Sequence, residues 1–129
     1  MFGLASCQPT LDIEVISRNG QLVFTLKPPV FQRWMPRIAG LEVDAVSKPS
    51  IVMWRVETST DRAVPAPGEI VFGHVPPGMK QTSEQKPLMI GQLYRVTLDP
   101  WTMGTRSFLI TDYDISGKLD VMPEWNFHH

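Results

Sequence analysis

The side chains able to do chemistry are few and scattered. Cys7 is the only cysteine. As a nucleophile it would need a base within hydrogen-bond reach and a lowered pKa. It precedes the first patterned segment, where nothing holds it beside a base, so an anchor or an inert thiol is expected. His74 lies in a strand-like run just before Pro76-Pro77, and a lone strand histidine is expected to pack or to be solvated. His128 and His129 end the chain, and two adjacent histidines lack the spacing of a structural zinc site. Carboxylates fall two apart at Asp12/Glu14, Glu42/Asp44 and Asp112/Asp114. Paired carboxylates are the machinery of glycoside hydrolysis. Strand residues two apart also share a face, so an outward, solvated face produces the same pairs without chemistry. Thr111-Asp112-Tyr113-Asp114 supplies too few oxygen ligands for a calcium loop. No phosphate-cradling glycine loop and no Gly-x-Ser-x-Gly elbow occurs. The expectation is a protein that is not an enzyme and uses no metal and no small-molecule cofactor.

The elements that would carry these residues are short and extended. Leu11 to Ile16 alternates apolar and acidic residues, the period of a half-buried strand. Asn19-Gly20 follows, a strong tight-turn signal. In Gln21 to Lys27, Leu22, Phe24 and Leu26 share a face, and Pro28-Pro29 ends the run. Residues 30–37 show no period and read as a loop. Ile38 to Val46 reads as a short strand or a helical turn, with Leu41 and Val43 on one face. Ser50 to Thr58 is a strand with Val52, Trp54 and Val56 on one side. Residues 59–68 are a turn-rich connection, Glu69 to Val75 is a strand, and residues 79–87 are polar and loop-like. Gln92 to Leu98 alternates at Tyr94, Val96 and Leu98. Arg106 to Tyr113 puts Phe108 and Ile110 on one face, and residues 115–122 add a short extension. Seven or eight short strands between turn signals are the signature of a two-sheet sandwich.

Composition agrees with strands joined by turns. The chain has 129 residues, the length of one domain, and 12 prolines, which leave few windows for a long helix. With 12 basic and 13 acidic residues it lacks the basic face a nucleic-acid binder needs. A single cysteine excludes an internal disulfide. No apolar run is long enough to span a membrane as a helix. The segments divide into an N-terminal stretch (1–10), one β-domain (11–122) and a C-terminal tail (123–129).

Two stretches resemble fibronectin type III domains of the immunoglobulin-like class. Leu88-x-x-Gly91-x-x-Tyr94-x-Val96 is similar to the segment opening that family's sixth strand, with Ile90 in place of the usual proline and Gln92 in place of threonine. The resemblance implies a corner in which the Tyr94 ring packs inward and its hydroxyl bonds backbone a few residues upstream. Gln21 to Pro29 is similar to the second strand, with Leu26 where tryptophan is usual. Trp54-Arg55-Val56 looks like the third strand's Tyr-x-Val, so Trp54 is expected in the core and residues 38–46 as an inserted strand.

Leu4-Ala5-Ser6-Cys7 resembles a bacterial lipobox, which implies diacylglycerol on the Cys7 thiol and a short polar tether from Gln8 onward. Because Gln8 is not aspartate, the resemblance implies the periplasmic face of the outer membrane. The leading expectation is a non-catalytic envelope lipoprotein whose domain binds another protein, as an immunity-type protein or an accessory of an envelope machine. The alternatives are a cytoplasmic or phage-encoded adaptor without lipid, and a carbohydrate-binding module using exposed rings. Residues 30–37 concentrate Phe31, Arg33, Trp34, Met35 and Arg37, types enriched in interface cores. They are the docking candidates, and the competing expectation is that Phe31 and Trp34 turn inward and close one end of the sandwich.

Overall fold

The computed structural model describes residues 10–30, 32–60, 62–99, 104–113 and 119–123. Among them there is no helix, and the chain is all-β. Eleven strands follow in order: β1 (Asp12–Arg18), β2 (Gln21–Lys27), β3 (Arg37–Ile38), β4 (Gly40–Ala45), β5 (Ile51–Thr58), β6 (Val64–Pro65), β7 (Glu69–Val71), β8 (Met79–Ser83), β9 (Leu93–Asp99), β10 (Thr105–Tyr113) and β11 (Leu119–Pro123). They form a three-stranded sheet, β1-β2-β7, a six-stranded sheet, β11-β10-β9-β4-β5-β8, and the small pair β3-β6. Every pairing is antiparallel.

The hairpin of β1 and β2 follows from its turn. Asn19 and Gly20 both adopt positive φ (54° and 78°), the geometry whose twist matches the flanking strands. That turn sets Arg18 opposite Gln21 and Ile13 opposite Leu26, so Ile13, Leu22, Phe24 and Leu26 reach the core. In the larger sheet the inward positions of β4, β9 and β10 are Leu41 and Val43, Tyr94, Val96 and Leu98, and Phe108 and Ile110. The faces meet where the Phe24 ring lies 5.9 Å from Phe108 and Phe72 approaches Trp54 edge-on at 5.5 Å. One shared apolar core between two antiparallel sheets is consistent with a β-sandwich.

The strand expected within 38–46 is present as β4, with Leu41 and Val43 inward, between β9 and β5 at the centre of the six-stranded sheet, and the helical-turn alternative is not taken. Three expectations are corrected. The polar stretch 79–87 contains β8, which pairs with β5. As an edge strand it buries only Met79 fully and keeps polar side chains in water, so no apolar alternation marks it. The strand expected over 69–75 ends at Val71, because Phe72 and Gly73 form a turn with Gly73 at φ 87°. The strand total exceeds seven or eight through β8, β11 and the two-residue pair β3-β6.

The strand facing around Trp54 is also corrected. Trp54 is fully buried opposite Val43, yet Val52 pairs with outward-facing Asp44. A bulge between these pairs leaves Met53 as the extra residue. It moves Val52 to the opposite face from Trp54, although the two are two residues apart.

Candidate functional site

The outer face of the six-stranded sheet carries a cluster of paired charges. Arg55 on β5 is its hub: Nη1 donates to Glu42 (2.8 Å), Nε to Glu57 (2.5 Å), and Nη2 lies 3.7 Å from Asp99. The register explains this, since Glu42 pairs directly with Arg55 and Asp44 with Arg95. Asp44 is the strained member. Its Oδ1 is buried without a hydrogen-bond partner. Burial first, then the neighbouring Glu42 carboxylate, push its pKa up to about 7, against the opposing pull of Arg95 and Arg55. The Glu42/Asp44 pair is therefore not the freely solvated pair the alternation implies. Asp12 and Glu14 are exposed. The Asp112 side chain and Asp114 lie outside the description.

Among the described residues no three His, Cys, Asp or Glu side chains gather as metal ligands. His74 is exposed and its ring faces Gln21 at 3.1 Å. Cys7, Phe31, Trp101, Trp125, His128 and His129 lie outside the described residues. Trp34 is the exposed aromatic ring among those described.

Apolar exposure concentrates at the two ends of the domain. The first end holds the loop between β2 and β3. Val30 is fully exposed and Trp34 is 60% exposed, so the Trp34 indole does not close the sandwich. Arg33 is exposed beside it. Met35 is half-buried against the core, and Arg37 is exposed with Nη1 donating to the Ala63 carbonyl (3.1 Å). The docking candidates are thus divided: Arg33 and Trp34 face water, and Met35 supports the loop from beneath. Gln32 is the peg of this loop. Buried to 7% exposure, it bonds both Thr10 backbone groups and donates to the Trp34 carbonyl.

The opposite end presents Met89 (69% exposed), Ile90 (50%) and Ile51 (48%). Met89 to Gln92 form a β-turn closed by the Gln92 N–H on the Met89 carbonyl. Gly91 takes the φ of 85° that a type II turn requires at its third residue. Two further bonds pin it. The Met89 N–H donates to the Tyr94 hydroxyl (2.7 Å), and the Gly91 N–H donates to the Ile110 carbonyl (2.6 Å). The Tyr94 ring below is 1% exposed, stacked obliquely on Phe108, and Leu88 is buried before the turn. The sequence reading assigned these residues to structure and missed the exposed pair on top. The signal was Ile90 itself, an apolar side chain at a turn tip.

β9 runs between the two ends. It starts after the Met89–Gln92 turn and finishes at Asp99, whose carbonyl accepts from Ala39 just beyond the Trp34 loop (2.7 Å).

No protein-family model matches the chain, and no match was found among curated proteins or solved structures. Among the described residues no helix is long and apolar enough to cross a membrane.

Proposed function

We propose that this chain is a non-catalytic binding domain of immunoglobulin-like, fibronectin-type-III-like build. In this reading a lipid on Cys7 holds it at the periplasmic face of the outer membrane, and it docks another protein through the end bearing Met89 and Ile90. Immunity against a delivered toxin and service to an envelope machine are the two forms such docking takes.

Strand order supports the fold type. β1-β2-β7 corresponds to strands A, B and E of an immunoglobulin domain, and β4, β9 and β10 to C, F and G, with β5 added beside C. The third-strand position then belongs to β4, and Trp54 enters the core from the neighbouring strand. The Tyr94 hydroxyl bonding back to Met89 near the start of β9 matches the tyrosine corner of such domains.

The observation that carries the docking reading is an exposed apolar pair on a rigid turn. Exposed Met89 and Ile90 sit on backbone fixed by three hydrogen bonds, so little order remains to be gained on binding. Docking here is favoured over the Trp34 loop because Thr10, through Gln32, joins the N-terminal stretch to the Trp34 end. A photoreactive residue at position 90 should cross-link the partner in the envelope of producing cells. Titration with that partner should then show Ile90→Asp weakened at least tenfold (about 1.4 kcal/mol) at near-native melting temperature, with Trp34→Phe unaffected. Absence of a cross-link at 90 ends the docking reading. Membrane partition of the full-length gene product, lost in Cys7→Ser, tests the lipid.

A further inference from the structure

The Trp34 loop is not loosely exposed; it is built to hold its indole outward. Gln32 is pegged inside, and its N–H donates to the Pro29 carbonyl (2.9 Å). Met35 packs on the core and Ile38 is fully buried. Between these fixed points Val30, Arg33 and Trp34 project into water. The segment from Lys27 to Leu41 contains Lys27, Arg33 and Arg37 and no carboxylate. Tryptophan with lysine or arginine is the combination that settles at a membrane–water boundary. The ring lies at headgroup level and the cations meet anionic phosphates.

Chain length says what covers this end. Thr10 is bonded to Gln32 in the same loop, and Cys7 is three residues before it. Three extended residues reach about 11 Å at most. A lipid on Cys7 therefore holds the Trp34 end within roughly that distance of the bilayer surface.

We propose that Val30, Arg33 and Trp34 form a bilayer-seating surface, with Trp34 and Val30 at headgroup depth and Arg33 against anionic phospholipid. The surface rests on the reading of Cys7 as a lipid anchor, and it converts that anchor from a loose leash into a two-point attachment. Diacylglycerol on Cys7 carries two acyl chains and holds the protein at the membrane by itself; the second contact fixes which face of the domain meets the bilayer.

Cys7, as the sole cysteine, allows a direct test on the full chain. Its thiol is coupled to a maleimide phospholipid in vesicles of phosphatidylcholine and phosphatidylglycerol that carry brominated acyl chains, which quench nearby indoles. Quenching of tryptophan emission is expected, and Trp34→Phe should abolish the quenched component. Val30→Asp, at a fully exposed position that leaves every tryptophan in place, should weaken the quenching, as should Arg33→Glu. Quenching that persists in Trp34→Phe, or a tethered protein that is not quenched, overturns the proposal. Equal quenching in pure phosphatidylcholine overturns the role of Arg33. Because the maleimide supplies the anchor, these outcomes are independent of whether Cys7 is acylated in cells, which the Cys7→Ser fractionation decides separately.

Discussion

Asp44 stands between Glu42 on its own strand and Arg95 across β9, with one carboxyl oxygen buried and unpaired. Its raised pKa means that the folded chain holds the proton more tightly than the unfolded chain, whose carboxyl titrates near 4. The contribution to stability is therefore complete below about pH 4 and is lost as pH rises through about 7. Asp44→Asn should flatten that slope and, above pH 7, exceed the parent by about 1 kcal/mol. That figure is discounted from full linkage because the side chain is partly solvated. Urea unfolding across the pH range measures it, and an unchanged slope would mean Asp44 is ionised throughout. Tyr94→Phe tests the other unusual polar group. It takes the hydroxyl acceptor from the Met89 N–H and should cost about 1–3 kcal/mol in urea unfolding. It should also weaken the docking assigned to Met89 and Ile90, since the same bond fixes their turn.

At the level of strands, the bulge at Met53 decides what β5 presents. Trp54→Ala should cost roughly 3–5 kcal/mol, because a fully buried indole leaves a cavity and the Nε1–H bond to Gln81 is lost. Val52→Thr should change stability by no more than about 0.5 kcal/mol, since the bulge turns Val52 away from the core. Equal losses would mean that the two side chains share a face after all. Strands with strict alternation were legible in the sequence. Leu22, Phe24 and Leu26, Tyr94, Val96 and Leu98, and Phe108 with Ile110 all pack inward where their period puts them. The bulge was not legible, because nothing in Val52-Met53-Trp54 marks the extra residue and parity fails on crossing it. β8 was hidden for a different reason: an edge strand with one buried side chain has no apolar period to read. The exposure of Trp34 was likewise undecidable from type, because an indole in a loop fills a gap as readily as it makes a contact.

For the molecule as a whole, Thr10 lies at one end and the Met89–Gln92 turn at the other, so the proposed attachment and the proposed docking fall on opposite ends. The proposals make distinct predictions for the two ends: Trp34→Phe alters vesicle contact and spares the partner, and Ile90→Asp does the reverse. The sheet order has a further consequence, for synthesis. The hairpin of β1 and β2 joins neighbours in sequence and can close as soon as β2 has been made. The centre of the large sheet joins β4 to β9, Leu41 to Leu98, across nearly half the length of the chain. A nascent chain that has not yet reached residue 93 therefore carries β4 with one long edge unsatisfied. Closure dominated by such distant pairings is slow, on the order of milliseconds to seconds for domains of this kind. During that interval the open edge of β4 is the natural place for a second unfinished chain to add its own strand, so arrested or truncated chains should accumulate as aggregates.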